Sequence, residues 1–365
     1  MIHYKTVGKS DHDFLSYLEG SFSKTQRALP IQSLNIESDQ ETITFRLVEI
    51  KEIERPSYFS LLPEILKMRT WLYAFFPMFL IFVKNAADAE PLHFFSYALA
   101  CIAALFTFLG LQLRNDYIDY IRGSDRLRLN SQTKPLQKGW LAAWQVRNLS
   151  WMFLILAAVV SLPIYWMWPA VLYLVLGLVA VAVVFGVFKK STYKFEKFHE
   201  FFVFLFLGPA LFAGLQLSMG DSLDKETLFL GGIWGWLCVF QMYIKNFEDI
   251  ATSSQYGLKN TINWLGFDRS KVFLKYNWLA FVFAFFIYHW FFASVFSTWF
   301  LTAVILFWTW PVLQKQMAVS SPLGSSHLQN IKRWKSLIVL VTILWFLENL
   351  FYISSMWRWL NLKLS

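Results

Sequence analysis

The sequence predicts an all-α integral membrane protein, a nine-transmembrane-helix bundle with a small cytoplasmic N-terminal extension. Of its 365 residues, 56% are hydrophobic and only 16% are charged, and the mean hydropathy is +0.43. A soluble domain of this size carries about 25% charged residues, so the composition excludes a water-soluble globular enzyme. Two further observations support the prediction: apolar runs of spanning length recur along the chain, and Lys and Arg are concentrated in alternate gaps between these runs.

Nine apolar runs are the predicted membrane spans, since about 20 apolar residues cross the hydrocarbon core of a bilayer as a helix. They divide the chain into an extension, residues 1–60, whose function the sequence does not indicate, and a membrane-embedded domain, residues 61–365. Within the extension, residues 11–22 are predicted to form a short amphipathic helix, and residues 42–48 alternate as a strand does. The predicted spans are residues 70–84, 92–113, 146–165, 169–188, 201–219, 227–244, 273–291, 294–313 and 336–357.

The distribution of charge predicts the orientation of these spans. The net charge is +9, with −2 on the extension and +11 on the rest, and the gaps at the other ends of the spans hold only Lys84 and Lys225. Because cytoplasmic loops are the basic ones, the N-terminus is predicted inside and the C-terminus outside a multi-pass inner (cytoplasmic) membrane protein. This bias explains the basic loops without a nucleic-acid partner, and it favours contact with anionic lipid. The 20 Lys and Arg of the basic gaps lie in residues 114–147, 189–200, 245–275 and 314–335.

Two further patterns lie inside predicted spans. Gly231 and Gly235 form a GxxxG pattern, which lets helices pack closely within one bundle. Glu348 and Asn349 are a polar pair inside the ninth span, and we expect them to make interhelical hydrogen bonds. A transporter is disfavoured, because the other charged and polar side chains cluster at the inner ends of spans and not at the midplane of broken, repeated helices.

The first polar cluster follows the second span. If the helix continues past Leu113, Asp116 and Asp119 lie three residues apart on one face, and Asn115, four residues before Asp119, shares that side. Two carboxylates on one face repel each other unless a cation lies between them. Mg²⁺ binds through a few carboxylates and completes its shell with phosphate oxygens and water.

The second polar cluster follows the sixth span. Asn246 and Asp249 lie three residues apart, and Lys245 lies four residues before Asp249. Lys245 could simply pair with Asp249, and both clusters could be ordinary solvated loop charges. Two such clusters at inner span ends, each beside many cations, favour a functional site instead.

Acids and cations together favour binding of a diphosphate, whose oxygens Mg²⁺, Lys and Arg would neutralise. Each candidate cation taken singly is also explained by the positive-inside rule. The sequence has no Walker-type loop, no GxGxxG and no HExxH, so it does not support a nucleotide or zinc site. The candidate cations are Lys67, Arg69, Arg122, Lys134, Lys138, Lys194 and Lys259.

The two clusters resemble the aspartate motifs of a known family. The stretch from Asn115 to Asp125 resembles the first motif of the UbiA-type membrane prenyltransferases, and its Gly-Ser-Asp ending resembles their menaquinone branch, the 1,4-dihydroxy-2-naphthoate prenyltransferases. The second cluster is similar to that branch's second motif through Asn246, Asp249 and Ile250, then Gly257, Lys259, Asn260 and Thr261. Further similar stretches are residues 67–70, 134–139 and 200–209.

The second motif departs from the family pattern. The family usually has another Asp four residues after the first, followed by an Arg, and this chain has Ser253 and Ser254 there. An acidic residue that is often found two after the first Asp is replaced by Ala251. These departures motivate an alternative function, a catalytically impaired or repurposed UbiA-like protein that binds a prenyl lipid or a partner.

The resemblance implies transfer of an isoprenyl group from a prenyl diphosphate to an aromatic, quinone-precursor acceptor in the membrane, as in menaquinone biosynthesis. It implies Mg²⁺ as cofactor, with Asp116, Asp119 and Asp249 as catalytic metal ligands. Bound Mg²⁺ would stabilise the charge that develops on the diphosphate as the allylic C–O bond breaks. The implied diphosphate-binding residues are Asn115, Arg122, Lys134, Lys138, Asn246, Lys259 and Lys67.

Overall fold

The computed structural model is mostly helical and groups the chain into two compact units. One unit comprises residues 1–74 and 102–161, and the other comprises residues 75–101 and 162–365. The extension thus belongs to the same unit as the helix of the first aspartate motif, and the predicted boundary at residue 60 stays a prediction. The structure describes residues 3–35, 38–67, 70–87, 93–123, 135–184, 199–220, 222–255, 260–292 and 295–364.

The extension forms a three-stranded antiparallel sheet of order β1-β3-β2, with one short helix. The strands are β1 (His3–Gly8), β2 (Gln26–Leu34) and β3 (Thr42–Glu49), and the helix is α1 (Phe14–Glu19). The predicted strand is confirmed as β3, and the predicted amphipathic helix is present but shorter. The extension is an exception to the all-α prediction: β1 and β2 were not predicted, because β1 buries only its last residues and β2 is interrupted at Pro30 by a register shift.

The sheet and the helices of the first unit share one hydrophobic core. Ile43 and Phe45 of β3 are fully buried, and they pack in the same cluster as Leu113, Tyr120 and Val146. Burying an aliphatic or aromatic side chain of this size contributes about 1.5–3 kcal/mol. The extension is therefore joined to the helical part of its unit by apolar packing.

Helices overlap all nine predicted spans. Among the residues that the structure describes, five helical segments are long and apolar enough to cross a membrane, namely α4, α5, α7 with α8, α9 and α11, while α3 and α6 are shorter apolar helices. The count of nine spans and the cytoplasmic side of the N-terminus stay predictions. The helices after the sheet are α2 (Tyr58–Ile65), α3 (Leu72–Ala87), α4 (Phe94–Arg122), α5 (Ala143–Met167), α6 (Pro169–Val184), α7 (His199–Leu207), α8 (Pro209–Ser218), α9 (Lys225–Glu248), α10 (Ile250–Gln255), α11 (Thr261–Phe292), α12 (Val295–Ala318) and α13 (Ser325–Leu364).

In the second unit, α9 packs closely against the break between α7 and α8, as the GxxxG pattern predicts. A Cβ atom added to Gly235 would lie 2.5 Å from the carbonyl oxygen of Phe204, and one added to Gly231 would lie 2.9 Å from the Cα of Pro209. A Cβ atom added to Gly208, at the break, would lie 2.5 Å from the carbonyl oxygen of Gly231. Only glycine allows the backbones to approach this closely.

Polar pairs join the helices of the second unit. Lys84 Nζ lies 2.5 Å from Asp224 Oδ2, and both residues lie at the predicted outer ends of spans. Glu348 Oε2 lies 2.9 Å from His289 Nε2, which confirms the interhelical contact predicted for Glu348. For Asn349 the hydrogen bond that the structure shows lies within α13, where its side chain donates to the Trp345 carbonyl oxygen four residues earlier.

We expect Gly235→Ala to lower the free energy of unfolding by about 1–3 kcal/mol, because the added methyl group overpacks the contact with Phe204. Gly232→Ala is the matched control, since nothing lies within 4 Å of its added Cβ, and alanine favours a helix over glycine by about 1 kcal/mol. Thermal unfolding of the detergent-solubilised protein measures both variants. Equal midpoints for the two would contradict the close packing.

Candidate functional site

The first aspartate cluster lies in the last turns of α4, where the helix has two distinct faces. Asp116 and Asp119 are half-buried on one face, with Gln112 one turn before Asp116. Leu113 and Tyr120 are buried on another face. The helix ends at Gly123, whose φ of +84° is a left-handed conformation that favours glycine. The predicted continuation of the helix through the motif is therefore present.

The structure brings two predicted site residues together, Lys67 and Asp116. Lys67 Nζ donates to Asp116 Oδ1 at 2.6 Å, and the side chains are 34% and 15% exposed. A hydrogen-bonded, charge-assisted pair in this partly buried setting offsets the cost of removing the carboxylate from water. The sequence indicated both residues as candidates but did not predict that they pair.

The backbone of Lys67 is held in an unusual conformation. Its φ is +46°, in the left-handed region, which costs a non-glycine residue about 1–3 kcal/mol. The carbonyl oxygen of Lys67 accepts from the amide of Thr70 at 2.7 Å and from its hydroxyl at 2.8 Å. Gln112 Nε2 in turn donates to Thr70 Oγ1 at 2.7 Å. Lys67 is thus fastened to α4 at two points one turn apart, by its side chain at Asp116 and through Thr70 at Gln112.

Sequence reasoning missed both Thr70 and Gln112 as parts of this arrangement. A signal for Gln112 was present, because it precedes Asp116 by four residues and so shares its face. For Thr70 the signal was the resemblance of residues 67–70 to the family, while its contact with Gln112 depends on how the chain enters α3.

The other predicted diphosphate-binding residues of the first unit that the structure describes are Asn115, Arg122 and Lys138. Asn115 is exposed, and Arg122 is half-buried at the end of α4. Lys138 Nζ lies 4.1 Å from the centroid of the Trp140 ring, and Trp140 Nε1 donates to the carbonyl oxygen of Glu54. The Lys138 ammonium is therefore held by a cation–π contact. The candidates Lys134, Arg69 and Lys194 lie outside the described residues.

The second aspartate cluster lies in the other unit, at the end of α9. Asp249 follows the last residue of α9, and its amide donates to the carbonyl oxygen of Lys245 at 3.2 Å. Asp249 and Asn246 are half-buried and Lys245 is exposed. Lys259 lies outside the described residues.

This end of α9 is anchored to α13. Lys335 Nζ lies 2.5 Å from Glu248 Oε2, and His327 Nε2 donates to the carbonyl oxygen of Phe247 at 3.1 Å. Burial lowers the pKa of the His327 imidazole, which disfavours the charged form of the ring. The Phe247 carbonyl lies in the last turn of α9, where a contact from outside the helix can satisfy a backbone group.

Ser253, which stands where the family usually has Asp, is buried and hydrogen-bonded. The residue is 5% exposed, and its Oγ donates to Asn263 Oδ1 at 2.9 Å. The stretches predicted to carry the second motif and the start of span five meet nearby, since Thr261 Oγ1 donates to Glu200 Oε1 at 2.7 Å. Asn263 was not among the predicted residues, because its role depends on this fold.

The donor set on α4 fits Mg²⁺ in the presence of a diphosphate. The part of the chain that the structure describes has no group of three or more His, Cys, Asp or Glu side chains that could hold a metal by themselves. Mg²⁺ usually binds through one or two carboxylates and takes its other ligands from phosphate oxygens and water. Asp116 and Asp119 supply those two carboxylates on one helix face.

Residues 74–336 match the UbiA prenyltransferase family. The chain belongs to this family. The family predicted from the sequence is thereby confirmed as the UbiA family, whose members are prenyltransferases. No curated protein matches the chain.

Solved structures agree with the UbiA fold. A UbiA homolog from Archaeoglobus fulgidus, bound to DMAPP and Mg²⁺, is 16% identical and matches 76% of this chain and 98% of its own, with a TM-score of 0.51. A UbiA homolog from the same organism, bound to GPP and Mg²⁺, is 18% identical over 76% of this chain and 99% of its own, with a TM-score of 0.49. At these identities the first likeness shows the fold alone, and the second adds nothing to it.

We expect Lys67 and Asp116 to stabilise the protein as a pair. Lys67→Met alone leaves the carboxylate without its ammonium partner, and adding Asp116→Asn removes the charge that needs it, so the double-mutant cycle gives a coupling of about 1 kcal/mol. Lys138→Met in place of Lys67→Met is the control, because Lys138 contacts Trp140. Thermal unfolding of the purified full-length protein measures the cycle, and additive effects would show that the pair contributes nothing.

Proposed function

We propose that this UbiA-family protein transfers an isoprenyl group from a prenyl diphosphate to an aromatic, quinone-precursor acceptor in the membrane, with Mg²⁺. The observation that carries the proposal is the pair of carboxylates, Asp116 and Asp119, on one face of α4 with Lys67 facing Asp116 at 2.6 Å. Membership of the UbiA prenyltransferase family supports the reaction class, and a UbiA homolog solved with DMAPP and Mg²⁺ supports the substrate class and the cofactor.

In the proposed reaction, the allylic C–O bond of the prenyl diphosphate breaks, a bond forms between the prenyl carbon and the acceptor ring, and the ring loses a proton. Asp116 and Asp119 would hold Mg²⁺, with Asp249 as a third proposed ligand on the resemblance of its motif. When bound, Mg²⁺ would neutralise the charge that develops on the diphosphate leaving group. The side chains of α4 thus supply binding and orientation rather than a covalent step.

Lys67 has a specific role in this proposal. An ammonium has three donors, and the contact with Asp116 Oδ1 uses one of them. The others can donate to phosphate oxygens, so Lys67 both compensates the charge of Asp116 and binds the diphosphate. The left-handed backbone of Lys67, fixed by Thr70 and Gln112, keeps the ammonium beside the carboxylate.

The remaining site residues are proposed on their motifs. The diphosphate would also be bound by Asn115, Arg122, Lys134, Lys138, Asn246 and Lys259. The Gly-Ser-Asp ending of the first motif supports 1,4-dihydroxy-2-naphthoate as the acceptor and thus a role in menaquinone biosynthesis. The positive-inside bias supports a multi-pass inner-membrane protein with its N-terminus and site loops in the cytoplasm.

We expect membranes containing the protein to transfer a labelled prenyl diphosphate to a hydroxynaphthoate only when Mg²⁺ is present. Asp116→Asn combined with Asp119→Asn removes the two metal-binding charges, and the rate should fall at least about 100-fold. Asp39→Asn is the control, because Asp39 is a fully exposed carboxylate of the extension. Transfer that survives the double substitution refutes the metal assignment.

A second candidate function is that of an altered relative that binds a prenyl lipid or a partner without turnover. The observation that favours it is Ser253, buried and bonded to Asn263, at a position where the family usually has a carboxylate. The two functions differ in how they respond when the family residues are restored at this position.

For an active enzyme we expect Ser253→Asp with Ser254→Arg to leave turnover unchanged or lower it. The introduced carboxylate would be buried against Asn263, at a cost in stability that a buried charge carries unless it is fully paired. The prenyl-transfer assay measures the rate, and thermal unfolding measures the cost. A gain in turnover of ten-fold or more, on the order of 1.4 kcal/mol in the barrier, would instead identify a decayed enzyme and favour the second function.

A further inference from the structure

The extension packs against the helix that carries the first aspartate cluster, on the face next to the aspartates. Phe14 of α1 and Phe45 of β3 are buried in the same hydrophobic cluster as Leu113 and Tyr120 of α4, and Tyr117 packs against this cluster. The α4 residues follow a helical spacing of four and three, so they form one continuous face. Leu113 lies three residues before Asp116 and Tyr120 four residues after it, so this face borders the one that carries Asp116 and Asp119.

A polar contact reinforces this packing at one point, the carboxylate of Glu19. Tyr117 Oη donates to Glu19 Oε1 at 2.6 Å, and Arg147 Nη1 of α5 donates to the same oxygen at 2.7 Å. The Glu19 side chain is only 17% exposed, whereas that of Arg147 is 37% exposed. One carboxylate of the extension therefore joins α4 to α5.

The ring of Tyr117 is also held by cations. The guanidinium carbon of Arg114 lies 5.4 Å from the centroid of the Tyr117 ring, and that of Arg147 lies 5.9 Å from it. Cation–π contacts at such distances contribute about 0.5–1 kcal/mol at partly exposed sites. Glu19 is the residue that supplies negative charge to Arg147 in this cluster.

The position of Glu19 is itself fixed by the fold of the extension. It is the last residue of α1, and Gly20 ends the helix with a φ of +75°. A Cβ on Gly20 would lie 3.3 Å from the Cβ of Ala142, which shows how closely α1 approaches the start of α5. Arg27 Nη1 donates to the carbonyl oxygen of Gly20 at 3.2 Å and secures the turn.

The end of α4 needs such support. Asp119 lies three residues before the last residue of the helix, Arg122, and the last turn of a helix has carbonyl groups without intrahelical partners and tends to fray. Two neighbouring carboxylates add repulsion there. Groups that orient metal ligands must be held in place by contacts behind them if the ligands are to act together.

We propose that Glu19 is a positioning residue for the first aspartate cluster, and that the N-terminal extension serves to brace the end of α4 through the Glu19–Tyr117–Arg147 contact. This inference rests on the proposed function. It assigns a role to residues 1–60, which lie outside the part of the chain that matches the UbiA family, residues 74–336. Glu19 acts on the aspartates through Tyr117 and does not touch the substrate.

The test compares three variants of the full-length protein in the prenyl-transfer assay. Glu19→Ala removes the contact, Tyr117→Phe removes only the hydroxyl, and Glu19→Gln keeps the length and an acceptor oxygen for Tyr117. Glu49→Ala is the matched control, because Glu49 is an exposed carboxylate at the end of β3 in the same extension. For each variant, kcat, KM and the Mg²⁺ concentration that gives half-maximal rate are measured together with the midpoint of thermal unfolding.

We expect Glu19→Ala to raise the half-maximal Mg²⁺ concentration about 10-fold, the lower end of the effect of removing a residue that orients a metal ligand. Tyr117→Phe should shift the half-maximal Mg²⁺ concentration in the same direction. Adding it to Glu19→Ala should change little, because the two substitutions remove the same hydrogen bond. Glu19→Gln should restore most of the Mg²⁺ response. A loss of stability alone would lower the amount of active protein but would leave the Mg²⁺ dependence unchanged.

Two outcomes overturn the proposal and can be told apart. If the wild type transfers a prenyl group with Mg²⁺, but Glu19→Ala and Tyr117→Phe keep its Mg²⁺ response as Glu49→Ala does, then the positioning role is wrong and the proposed function stands. If the wild type shows no Mg²⁺-dependent transfer at all, then both the proposed function and the role of Glu19 are wrong. Tyr117→Phe keeps the test decisive even if Glu19→Ala fails to fold, since it retains the half-buried ring.

Discussion

Two carboxylates on one face of a helix end, beside an apolar membrane span, are the constraint on which the rest of the account depends. Asp116 and Asp119 repel each other and lose hydration as they become half-buried, so the fold must supply a compensating cation. For Asp116, the described residues include such a cation, the ammonium of Lys67 at 2.6 Å. The strained backbone of Lys67 and its link through Thr70 to Gln112 follow from the need to hold the ammonium there. The same charge arrangement is suited to Mg²⁺ and a diphosphate.

The N-terminal extension packs against the same end of α4. A helix end that carries two acidic side chains on one face holds its direction better when the neighbouring face is well packed. The buried cluster around Phe45 and Tyr120 supplies apolar packing, and Glu19 supplies a charged contact to Tyr117 and Arg147. The first unit thus combines a β-sheet domain with apolar helices, which are joined to it through the aspartate-bearing helix α4 and through α5.

Much of this could be predicted from the sequence, and the exceptions have physical reasons. The spans follow from apolar runs, and the close approach at Gly235 follows from the GxxxG pattern, because both depend on local composition. β1 and β2 were missed because neither alternates clearly between buried and exposed residues. Lys67 and Asp116 lie 49 positions apart in the sequence, and Glu19 and Tyr117 lie 98 positions apart. No local sequence pattern encodes contacts between residues so far apart.

The most direct measurement of the central claim is thermal unfolding of the purified full-length protein with MgCl₂, with inorganic pyrophosphate, and with both. A ligand that binds the folded state at 100 times its Kd stabilises it by about 2.7 kcal/mol. The account predicts that Mg²⁺ and pyrophosphate together raise the unfolding midpoint by more than the sum of their separate shifts, and that Asp116→Asn with Asp119→Asn abolishes this excess. Additive shifts, or an excess that persists in the double variant, would contradict the claim that these carboxylates bind a magnesium–diphosphate group.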